Sequence, residues 1–253
     1  MLVRIAAFLL FFGLLLMLSV AGGASIAIWQ NDKARQAKQQ KKNSDALRSA
    51  PQKSVKPSQS PSTATVPSSG PGTFTTAHAS GRIIGKKGQL RLYKVQVEDG
   101  THLSAEHVAA EIQKILTDPR SWAAHGQGRF QPVSGRADIT IKIATPHTTD
   151  KLCAPASDTG GELSCKVADD VIVNLKRWVT GSPEYDGLPG EYRHLIINQE
   201  VGYLIGYHMH MYCPGPGRLA PVMMQQIKGL HGCKSNAWPY TRDGDFITGP
   251  LGP

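Results

Sequence analysis

From Ile5 to Trp29 the chain holds no charged residue, and Leu, Phe, Ile and Ala dominate. Such a run does not stay in water. Twenty-five helical residues reach about 37 Å, beyond the roughly 30 Å of a hydrocarbon core. The expected element over residues 1–29 is a transmembrane anchor, or a signal that stays uncleaved. A cleaved signal peptide is the alternative, because Ser19-Val20-Ala21 offers a small-residue cleavage site, but its apolar part is usually only about 7–15 residues long. Whatever folds in water must therefore lie beyond this run.

The next segment is a tether. Residues 30–58 carry eight Lys or Arg against two Asp, and with Arg4 they hold seven of the nine net positive charges of the chain. A basic excess gathered beside a membrane suits anionic lipid or wall polymers, or a solvated and extended linker. It does not make a nucleic-acid surface, and no nucleic-acid partner is expected. Residues 51–72, PQKSVKPSQSPSTATVPSSGPG, have almost nothing to bury and read as a disordered or polyproline stalk. Residues 30–72 form the stalk, and residues 73–253 the domain.

Two signals bear on the compartment. Lys33, Arg35, Lys38, Lys41 and Lys42 follow the span, which by the positive-inside rule favours a cytoplasmic domain. The four cysteines, Cys153, Cys165, Cys213 and Cys233, point outward. None has zinc-type spacing, and an even set persists as bridges only in an oxidising compartment. Three pairings exist. The local one, Cys153–Cys165 with Cys213–Cys233, is the economical one, and four reduced thiols are the alternative. The expectation is a single-pass protein with its domain outside the cell membrane.

Within the domain, apolar alternation predicts strands over 89–99, in ADITIKIA and over VIVNL at 171–175. Ser104 can cap a helix whose stripe is Val108, Ala109, Ile112, Ile115 and Leu116, with Pro119 beyond its end. A second helix is expected from about Glu191 to Gly206. A Gly- and Pro-rich tail follows Cys213. This order predicts an α+β fold: a small twisted mixed sheet with an N-terminal helix and a late helix packed on it.

The late helix contains NQEVGYLIG. A helical zinc site needs imidazoles at i and i+4, a Glu at i+1 to take a proton from metal-bound water, and a third ligand after a glycine turn. On that template Gln199 and Tyr203 occupy the two ligand positions. Glu200 is the base, and Gly206 the turn. Met209 falls on the third ligand position, and His208 and His210 flank it.

NQEVGYLIG resembles the N-H-E-V-G-H-x-L-G segment of zincin-like proteins of the metzincin type. YKVQVEDG, DPRSW, NLKRW, EYRHLIIN, CPGPGRLAPVMMQQ and GLHGCKSNAWP are similar to stretches of an actinobacterial family of membrane-tethered, exported proteins catalogued as a domain of unknown function. The resemblance spans about residues 72–240. It implies a zincin-like domain whose APVMMQQ is a methionine turn, with Met223 as its methionine and Met224 the neighbouring choice. It also implies His210 as the third ligand, three residues before Cys213.

The departures decide the functional expectation. An amide oxygen is a poor zinc ligand beside imidazole, and a phenol with a pKa near 10 must lose its proton to bind. Zinc is the cofactor the template calls for, and Gln199 and Tyr203 count against it. The first expectation is a catalytically degenerate zincin-like module that binds a peptide or a wall component, or serves as a scaffold. The alternative is an active zinc peptidase with Glu200 as base and His208, His210 and Tyr203 as rebuilt ligands. A purely structural envelope protein is the third reading.

Overall fold

The computed structural model describes residues 65–252, together with Arg35 and Lys38. The anchor expected over 1–29 and nearly all of the stalk up to residue 64 lie outside the described residues. No helix among the described residues is long and apolar enough to cross a membrane.

The domain is a mixed α+β fold. Its strands are β1 (Phe74–Thr76), β2 (Leu90–Glu98), β3 (Arg129–Pro132), β4 (Ile139–Ala144), β5 (Cys165–Val167) and β6 (Asp170–Asn174). Its helices are α1 (Ala105–Thr117), α2 (Pro146–Cys153), α3 (Leu175–Thr180) and α4 (Pro189–Leu204). The sheet runs β1-β2-β4-β6-β5, with β3 also paired to β2. β2 pairs in parallel with β3 and β4, and β4 with β6. The two short strands β1 and β5 are antiparallel to their neighbours.

Side chains that alternate along a strand separate two faces. Val95, Val97, Ile141, Ile143, Val171 and Val173 enter the main core with the expected α1 stripe. Ile172 points the other way and packs with Ala144, Cys153 and Cys165. The Cys153–Cys165 bridge therefore sits on the far face of the sheet, closing a loop of 12 residues. The second bridge joins Cys213 to Cys233.

Three elements differ from the sequence reading. Leu175 was expected to end a strand, but Asn174 caps a helix there: its side chain accepts from Lys176 N at 2.9 Å. α2 shows no apolar stripe, because its buried residues are Thr148, Thr149 and Cys153. β5 is three residues long, too short for a periodic signal.

α4 has buried residues on every side, among them Leu195, Ile196, Asn198, Glu200 and Val201. It begins at Pro189, whose fixed φ suits a first helical position. It ends two residues before the expected Gly206, where φ is +113° and a glycine lets the chain leave the helix.

A buried carboxylate secures the start of the domain. Glu98 is 1% exposed. It accepts from Gly72 N at 2.9 Å, Thr145 N at 2.7 Å and Thr148 Oγ1 at 2.6 Å. Ser68 O accepts from His147 N at 3.0 Å, and Val66 lies against the core. Val66, Ser68 and Gly72, at the end of the assigned stalk, are thus tied to the domain. Glu98→Gln would set an amide N–H₂ against N–H or O–H donors. The expected cost is about 1–3 kcal/mol, checked by urea unfolding.

Candidate functional site

One cavity of about 370 Å³ lies beside α4, and Gln199, Glu200, Tyr203, His208 and His210 all line it. These are the residues that the helical template singled out. α4 supplies the first three. Gly206 then turns the chain, and the returning segment brings His208 and His210 back. The Tyr203 and His210 rings meet edge to face with centroids 5.9 Å apart.

The floor is a tight bend. Met224 N donates to Pro221 O at 3.0 Å, which places Met223 inside a four-residue turn. Met223 is fully buried. Its sulfur lies so close to Gly202 that a Cβ there would overlap it. Gly202 is thus the point where helix and bend touch.

Gln199 holds this bend. Its Nε2 donates to Val222 O at 3.0 Å and to Met224 O at 2.8 Å, the carbonyls on either side of Met223. Both amide protons are engaged, so the orientation of the amide is set by its partners. One helix position earlier, Asn198 is fully buried. It donates through Nδ2 to Ala237 O at 2.9 Å and accepts from Ser121 Oγ at 3.3 Å.

Glu200 is 4% exposed. Neither of its oxygens has a hydrogen-bond partner among the described residues, and Oε2 is sealed from solvent. Burial pushes its pKa up from 4.5 to about 8, against a smaller opposing pull from the Lys166 ammonium. It is a neutral acid at pH 7. Burial, and then the neighbouring Glu200, raise the Tyr203 phenol well above its usual value. Burial, and then Lys228, lower the His210 imidazole.

Three of the template positions carry groups that are already engaged or hold a proton. Among the described residues no three of His, Cys, Asp and Glu gather as a metal-binding group. Gln199 turns its amide protons to the backbone, Tyr203 holds its proton more tightly than free phenol, and Glu200 is protonated. A metal site wants deprotonated oxygen donors.

The opposite wall was not anticipated as part of a site. Ser157, Glu162, Ser164, Lys166 and Arg177 line it. Arg177 makes structural bonds as well as lining the cavity. It donates to Gly181 O at 3.0 Å and pairs with Glu162, which Lys176 also contacts. The loop between Cys153 and Cys165 carries part of this wall. Its closure by the disulfide was the one sequence signal that could have found it. Trp122 and Trp178 are fully buried and Trp238 nearly so, as core anchors. His194 lies against the Trp238 ring at 4.9 Å, away from the cavity lining.

Two outcomes follow for α4. Gln199→Glu would point carboxylate oxygens at two carbonyls, with an expected loss of about 2–3 kcal/mol in chemical denaturation. The folded chain keeps a proton on Glu200 that the unfolded chain releases between pH 4.5 and about 8. Stability from this group is therefore full below that window and falls as pH rises through it, by up to about 1.4 kcal/mol per pH unit. Glu200→Gln should flatten that slope in melts taken across pH 5–8.

A family model described as Protein of unknown function (DUF3152) matches residues 60–241. No curated protein and no solved structure matches the chain.

Proposed function

The chain belongs to the DUF3152 family, and from that premise we propose that its domain is a zincin-like module, degenerate as a metallopeptidase, whose cleft binds a peptide or a wall component outside the membrane. One observation carries this reading. The template positions Gln199, Glu200, Tyr203, His208 and His210 share a single cavity above a methionine-bearing bend, while Gln199 ties that bend by hydrogen bonds where a ligand histidine would hold metal.

The two disulfides support an oxidising location. Ile5–Trp29 would tether the domain, and the stalk ahead of Val66 would hold it clear of the bilayer. With burial favouring the neutral form of Glu200, its carboxyl is poorly set up as a general base. What remains is a shaped, partly polar cleft with a rigid floor, which is the equipment of a binding site.

The test is metal content and its effect on stability. Purified full-length protein should hold far less than one equivalent of zinc by elemental analysis. Its melting temperature should not change with chelator. Gln199→His combined with Tyr203→His should take up about one equivalent. Stoichiometric zinc in the wild type, with peptide cleavage lost in Glu200→Gln, would establish the active peptidase instead.

A further inference from the structure

The cavity has a particular hydrogen-bonding character. Both protons of the Gln199 amide face the backbone of the bend. Its Oε1, with no protein donor among the described residues, is left for the cavity. The adjacent Glu200 carboxyl also receives no hydrogen bond among them, although it is almost wholly buried. An unpartnered polar group at that depth costs stability unless something else supplies the partner. Helix α4 thus presents to one space an amide oxygen that accepts and, beside it, a carboxyl that in its neutral form both accepts and donates.

Beside the apolar Leu163, Ile196 and Ile227, much of the remaining polar lining is amphoteric. Ser157, Ser164, Tyr203, His208, His210 and Gln225 can each donate and accept. Arg177 and Glu162 also line the space, but they neutralise each other. Lys166 lines it too and makes no ion pair among the described residues.

Each ligand class meets this lining differently. A simple anion would answer Lys166 and the carboxyl proton but leave the Gln199 amide oxygen and the carboxyl's accepting oxygen unpaired. A cation would answer the acceptors but meet the Lys166 ammonium. An apolar ligand would leave all of them dry. A hydroxyl gives one proton and takes another, so a group of neighbouring hydroxyls satisfies the acceptors and the ammonium together. The volume of about 370 Å³ lies within the range of small-ligand sites.

We infer that the cavity binds carbohydrate, a saccharide unit whose hydroxyls donate to Gln199 Oε1 and the Glu200 carboxyl and accept from Lys166 and Tyr203. This rests on the reading of the cleft as a metal-free binding module and narrows its ligand to a sugar.

The test is calorimetric titration of the full-length protein with soluble oligomers of glucose and of N-acetylglucosamine. The same oligomers with O-methylated hydroxyls, acetate and putrescine serve as comparisons. At least one saccharide should bind, and O-methylation should weaken it at least tenfold, because it removes donors while keeping the ring. Glu200→Leu and Lys166→Met should each weaken it about tenfold. Glu200→Leu should melt no lower than wild type, since it removes a buried group without a partner. Absence of saccharide binding overturns the inference, as does equal binding of the methylated oligomers or tighter binding of acetate or putrescine. Such a failure in protein that carries no zinc leaves the metal-free cleft standing. Stoichiometric zinc would sink that broader reading instead.

Discussion

Side-chain amides hold the last third of this domain together. Among the described residues after α4 none joins the sheet, so their carbonyls and amides need partners other than a ladder. Asn198 reaches Ala237, and Gln199 reaches Val222 and Met224. Gln226 donates to Asn236 O at 2.7 Å and accepts from Asn236 N at 3.1 Å. Asn236 in turn donates to Ala220 O and Trp238 O. Each amide offers two donors and an acceptor on one short stem, which suits it to an irregular backbone. The floor of the cavity is built from these bonds.

The sheet and the bridges set the remaining walls. The edge strand β5 holds Cys165 and Lys166, and its bond to Cys153 pins the loop that faces α4. The Cys213–Cys233 bridge closes the tail on the other side, packing with Ala220 and Met224. A cleft held by covalent links and buried amides does not need a metal to keep its shape. Gln199, at the first ligand position of the zinc template, gives its amide protons to the protein itself.

How much of this could be seen beforehand depended on what each element buries. α1 buries Val108, Ile112 and Ile115 along one stripe, and β2 and β4 alternate, so their spacing was visible. α2 buries threonines, whose hydroxyls bond to Ala144 O and Glu98, and hydroxyls give no hydrophobic period. α4 is enclosed on several sides, so Leu195, Ile196 and Val201 mark it as helical but Asn198 and Glu200 are buried beside them without a period to show it. Glu98 looked like an ordinary polar residue at a strand end. Only the arrival of Gly72 from one segment and of Thr145 and Thr148 from the start of α2 made it a buried anchor.

The sequence by itself determined the uncharged leading run, the charge-rich tether, the main strands, the capped first helix and the local spacing of Gln199, Glu200, Tyr203 and Gly206, because each depends on neighbours along the chain. Tertiary structure alone decided that His208 and His210 return to the same cavity and that the Cys153–Cys165 loop with Lys166 forms its far wall. It also decided that Gln199 gives both amide protons to the bend around Met223. Those outcomes depend on groups distant in sequence meeting where water is excluded, and there the partner, not the residue type, sets what a side chain does.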